Sequence, residues 1–93
     1  MIQTLLSNEK VLKLIRAKSR AGAEALYDQY AVVLRFAIFR IAGETDNTDI
    51  ILEKAICKIW DSADLYNEHE LPLLAWMLGI AKGLAKEYCI VPL

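Results

Sequence analysis

Three stretches of this chain repeat apolar residues at intervals of three and four, and no stretch alternates long enough to make a strand. They cover residues 23–42, 47–63 and 71–88. That spacing puts the apolar side chains of a 3.6-residue helix on one side. Only four glycines and two prolines punctuate the sequence. A polar turn at residues 43–49 and a loop of ordinary length within residues 61–70 separate the stretches. The expected fold is all-α: one domain over residues 1–93, a compact bundle of about four helices.

Each helix can be sketched from its own residues. The first is expected to start after Ser7, whose hydroxyl suits an N-cap, with Glu9 in the first turn. Val11, Leu12 and Ile15 form its apolar stripe, and it should end around residues 18–21, near Gly22. The second, residues 23–42, carries Leu26, Tyr30, Val33, Leu34, Ala37, Ile38 and Ile41 on one face. Tyr27, Phe36 and Phe39 are expected to widen that face, and Gly43 to end the helix. Thr45, Asp46 or Asn47 is expected to cap the third, which buries Ile51, Leu52, Ala55, Ile56, Ile59 and Trp60. The fourth starts near Leu71, with Pro72 tolerated in the first turn. Its Leu74, Met77, Leu78, Ala81, Leu84, Ala85 and Tyr88 make one stripe, and Leu73, Trp76, Ile80 and Ile90 a second. Two stripes on one helix mean either that other helices wrap it or that another molecule meets it.

Composition sets limits on function. Hydrophobic residues make up 56% and charged residues 25%, so disorder is not expected. The net charge of −1 gives no global attraction for nucleic acid or anionic membrane. The charges are nevertheless uneven: residues 1–40 carry seven Lys and Arg against three acids, and residues 41–93 carry four Lys against nine acids. Cys57 and Cys89 form no C-x-x-C pair and read as buried free thiols of a reducing, cytoplasmic setting. No apolar run is long enough for a membrane span, and no secretory signal is evident.

Residues for catalysis are missing. His69 is the only histidine and has no Cys or His at ligand spacing, so neither a metal site nor a Ser/His/Asp triad is expected. No phosphate-cradling glycine loop exists. Asp46 and Asp49 suit a helix N-terminus without any catalytic role. Lys82 and Lys86, four apart, share one side of the last helix and suit phosphates. No cofactor and no enzyme activity are expected. A homodimer, or another protein partner, meeting the last helix is one expectation for a chain this small.

The order of features carries a resemblance. Ala25-Leu26-Tyr27 with Tyr30, then Trp60 closing the next helix, then Ala75-Trp76-Met77 with Ile80 and Ala81, resemble region 2 of extracytoplasmic-function bacterial sigma factors. That family reads A-L-Y-x-x-Y, A-E-D-x-x-Q-E-x-F-x-x-x-W and A-W-L-x-x-I-A-x-N-x-x-x-D over the same three helices. This chain has Thr48-Asp49-Ile50 at A-E-D, Glu53-Lys54 at Q-E, Gly83 at the Asn and Glu87 at the final Asp. The resemblance implies a transcription initiation domain that binds core RNA polymerase and the −10 promoter element. It implies polymerase contacts at Asp49, Ile50, Glu53 and Lys54, promoter DNA contacts at Lys82 and Lys86, and structural roles for Trp60 and Trp76. The alternative is a sigma-like helical module that binds a protein or itself without reading DNA.

Overall fold

The first helix begins where its capping residue places it. In the structure, a computed structural model that describes residues 6–43 and 47–89, α1 spans Asn8–Arg16. Ser7 is extended, and its hydroxyl accepts the Lys10 amide. Val11, Leu12 and Ile15 are buried as the spacing predicts. The end differs from the expectation. Lys18 adopts a left-handed backbone (φ 55°). Its amide donates to the Ile15 carbonyl at 2.9 Å and that of Ser19 to Leu14 at 3.2 Å. This pair of bonds is the Schellman closure that usually recruits glycine. Here the Lys18 ammonium donates to the Trp60 carbonyl and lies 5.0 Å from the centre of the Trp60 ring, which helps hold the turn.

The next helix therefore starts earlier than residue 23. Ser19 caps α2, Arg20–Ala25, accepting the Gly22 amide at 3.1 Å. Gly22 does not end α1. It is buried inside α2 because the two helices cross there: a Cβ on Gly22 would lie 2.6 Å from the Leu14 carbonyl carbon and oxygen.

A wide π turn, Leu26–Tyr30, joins α2 to α3, Ala31–Ala42. Leu26, Tyr30, Leu34 and Ile38 are all buried. They are spaced by four, which drifts around a regular helix of 3.6 residues per turn. A wide turn corrects part of the drift and keeps Leu26 and Tyr30 on the core side. The Tyr30 hydroxyl donates to Asn8 Oδ1, and burial pushes its pKa up. The Leu6 backbone exchanges two hydrogen bonds with the Gln29 side-chain amide.

Gly43, at φ 80°, ends α3, and the buried Thr48 hydroxyl donates to its carbonyl at 2.9 Å. That bond ties the end of α3 to the start of α4, Asn47–Ser62. Thr45 and Asp46 lie outside the described residues. One 3-10 turn, Ala63–Leu65, follows α4, and Arg16 of α1 caps it. Its guanidinium donates to the Ala63 carbonyl at 3.1 Å and the Tyr66 carbonyl at 2.6 Å, and pairs with Glu68 at 2.9 Å.

The last helix, α5, spans Leu73–Cys89. Leu73, Met77, Ala81 and Ala85 are buried along it, with Leu74, Leu78, Trp76, Ile80 and Leu84 half-buried on either side. It packs against both α3 and α4, which explains its two stripes: a helix touching two neighbours needs a wider apolar arc than one touching a single neighbour. Trp76 stacks on Tyr66 with ring centroids 4.7 Å apart, and the Tyr66 hydroxyl donates to the Leu71 carbonyl. Tyr88 is exposed, and Ile90 lies outside the described residues. Counting Arg20–Ala42 as one interrupted helix, the described residues form an all-α bundle of four helices with no strand.

Candidate functional site

The outer face of α4 gathers most of the residues that the resemblance assigns to polymerase. Thr48, Ile51, Ala55, Ile56 and Ile59 face the core, Leu52 is half-buried against it, and Asp49, Ile50, Glu53, Lys54, Cys57 and Lys58 are exposed. Ile50, Glu53, Lys54, Cys57, Lys58 and Asp61 line an open groove of about 510 Å³ on that side. Ile50 stays 46% exposed at its rim, an apolar anchor among charges of both signs.

Two of the assigned residues are engaged within the chain. Asp49 turns toward α3, where Arg35 Nε donates to its carboxylate at 3.1 Å. Both side chains are more than half exposed, so the pair contributes at most about 1 kcal/mol and a partner can displace it. Lys54 leans the other way, its ammonium 5.4 Å from the centre of the Tyr88 ring. The Tyr88 hydroxyl beside it raises the Lys54 pKa. Lys54 thus bridges the outer face of α4 to the last turn of α5, a contact that the spacing of neither helix announces. Glu53 remains exposed between them.

Lys82 and Lys86 are not part of this face. They are exposed on α5, away from the α4 groove. Lys82 lines a second groove of about 590 Å³ with Val33, Phe36, Ala37, Arg40, Ile41 and Leu78, between α3 and α5. Among the described residues neither lysine lies within ion-pair distance of a carboxylate.

Some side chains sit elsewhere than expected. Phe36 and Phe39, expected to widen the core face, are 60% and 39% exposed, and Val33 and Tyr27 are also exposed. The sequence does hold the signal. Val32, Phe36 and Phe39 repeat at four and three, so they define a second stripe on the far side of α3 from Leu34 and Ile38. Cys57, expected to be buried, is a free and exposed thiol in the α4 groove; it falls on the polar arc of α4, three residues after Lys54. Cys89 closes α5, and its side chain lies outside the described residues. Trp60 and Trp76 are half-buried against the core, Trp60 beneath Lys18 and Trp76 against Tyr66.

Among the described residues no group of three or more His, Cys, Asp or Glu is placed to hold a metal ion, and no helix is long and apolar enough to cross a membrane. Comparison of the chain with known protein families, with curated proteins and with solved structures found no match.

Proposed function

We propose that this chain is a transcription initiation domain of the sigma region 2 kind, which docks on core RNA polymerase through the outer face of α4. The observation that carries the reading is the grouping of Ile50, Glu53 and Lys54 on one open groove. An apolar anchor ringed by charges of both signs suits a protein surface, where burial supplies affinity and charge supplies register. Asp49 joins this face by exchanging Arg35 for a partner cation. On the same reading Lys82 and Lys86 approach the −10 promoter element from the other side of α5. Each phosphate contact there adds about 0.7 to the slope of log affinity against log salt.

The test is capture of purified core RNA polymerase by the immobilised chain. Ile50→Lys should abolish capture, because it removes the apolar anchor and puts a cation where the family has an acid. Lys54→Glu should strengthen it, because it restores the acid usual in the family. Failure of the unaltered chain to retain polymerase, or equal capture by all three proteins, would overturn the reading.

A second reading is a self-associating module. Ala75, Gly79 and Gly83 form an exposed line of small residues on α5 beside Leu71, Trp76, Ile80 and Leu84, and a Cβ on Gly79 or Gly83 would meet nothing within 4 Å. Helices approach closely along such lines. A dimeric mass in light scattering, with no polymerase retained, would favour this reading.

A further inference from the structure

The outer side of α3 exposes more apolar surface than any use so far explains. Val32 is 79% and Phe36 60% exposed, and Phe39 and Val33 extend the patch along the helix. It runs into the α3–α5 groove, whose floor is Val33, Ala37, Ile41 and Leu78. A contiguous apolar surface of this kind in a small domain marks an interaction site.

The charged residues that line the groove, Arg40 and Lys82, are of one sign. Helix α3 carries Arg35 and Arg40 and no acid, and Lys82 stands on the α5 rim of the groove beside Arg40. Among the described residues, Arg40 and Lys82 have no carboxylate partner. Asp49 of α4 is paired with Arg35, and Asp28 is exposed four residues before Val32, at the end of the patch away from the groove charges. On α5, Glu87 lies on the opposite side, lining the Gly79–Gly83 groove with Lys58.

We propose that the outer side of α3 and the α3–α5 groove dock an acidic amphipathic helix of a protein partner. A helix laid between two packed helices places anchors at i, i+3 or i+4, and i+7 into the groove. Here those anchors meet Val33, Phe36, Ile41 and Leu78. Acidic residues flanking the anchors meet Arg40 and Lys82. The 12 residues of α3 span about 18 Å at 1.5 Å per residue, enough for about three turns of a partner. The groove is lined by aliphatic side chains with Phe36 as its one ring, and Phe39 adds a second ring on the outer side of α3, so a single-stranded oligonucleotide is needed to test whether bases stack there. This surface is separate from the α4 face, so the proposal is independent of polymerase docking, but it assigns Lys82 to an acidic protein partner in place of promoter DNA.

The probe is a synthetic 14-residue helical peptide with leucine on one face and glutamate on its flanks. Two controls accompany it: the same peptide with lysine flanks, and a single-stranded oligothymidylate. Binding is read by amide chemical-shift mapping of the full chain. The glutamate peptide should shift Val32, Phe36, Arg40, Leu78 and Lys82, and bind at least tenfold tighter than the lysine peptide. Phe36→Ala should weaken it about tenfold with unchanged helicity, since the side chain is mostly exposed. The double variant Arg40→Glu, Lys82→Glu should reverse the preference toward the lysine peptide, a gain that misfolding cannot produce. Equal binding of both peptides, shifts confined to α4 or to Gly79 and Gly83, or tighter binding of the oligothymidylate at these residues would overturn the proposal.

Discussion

Replacing Gly22 with alanine puts a methyl group where α1 and α2 cross. The added carbon would sit 2.6 Å from the carbonyl carbon and oxygen of Leu14 and 2.8 Å from the Ile15 nitrogen. Comfortable carbon contacts are about 3.5–4.0 Å, so the helices must part by roughly 1 Å. The obstructing atoms are backbone, and they sit in the last turn of α1, which the Lys18 and Ser19 amides lock. No side chain can swing aside. Overpacking of this kind costs about 1–3 kcal/mol. Alanine's better helix propensity returns at most about 1 kcal/mol, and less this close to the start of α2. The net expectation is a loss of about 1–2 kcal/mol. On a domain of this size that lowers the melting temperature by roughly 4–16 °C, at about 4–8 °C per kcal/mol. Gly79→Ala and Gly83→Ala are matched controls, because nothing lies within 4 Å of either added carbon. Each sits in the exposed middle of α5 and should gain about 0.5–1 kcal/mol. Thermal and urea unfolding of the three variants, at a concentration where the chain is monomeric, reads the contrast. A Gly22→Ala protein as stable as Gly79→Ala would refute the close crossing.

Three further outcomes follow from the contacts around the α4–α5 connection. Arg16→Met removes the donors to the Ala63 and Tyr66 carbonyls and should destabilise by about 1–3 kcal/mol in urea unfolding; its partial exposure keeps the value below the sum of its bonds. Glu68 is held below the usual carboxylate range chiefly by the hydrogen bond from Arg16. Its stabilising contribution is therefore present above the unfolded-state pKa, about 4.3, and is lost as pH falls through the depressed folded value. The stability gap between the unaltered chain and Glu68→Gln should shrink on going from neutral pH to below that value; a gap independent of pH would contradict the pairing. Tyr66→Phe keeps the ring against Trp76 but loses the bond to the Leu71 carbonyl, and should cost about 0.5–1.5 kcal/mol by the same assay.

The long helices were legible because their signal is local and repeated. Spacing placed α4 within one residue of its observed end and α5 within two of its start. Ser7 announced α1 by the same chemistry that forms it. Spacing and structure differ where one residue type serves two physical purposes. Gly22 reads as a helix stop because glycine tolerates unusual backbone, but here it is needed for lack of a side chain. The true left-handed residue is Lys18, held by contacts to Trp60 that lie 42 residues away in sequence. Hydrophobicity points Phe36 and Phe39 to the core, whereas their own spacing sets them on the opposite side. At the candidate site, the exposure of Ile50 follows from the α4 periodicity. The pairing of Asp49 with Arg35 and the approach of Lys54 to Tyr88 do not, because each joins two helices whose rotation about their axes only packing determines.

The most direct test of polymerase docking is one sample measured twice: light scattering of the chain alone, then capture of core RNA polymerase. The account predicts a monomeric mass and capture that is lost on Ile50→Lys. A dimeric mass with no polymerase retained would contradict it and point to the small-residue line on α5 as the place where two chains meet.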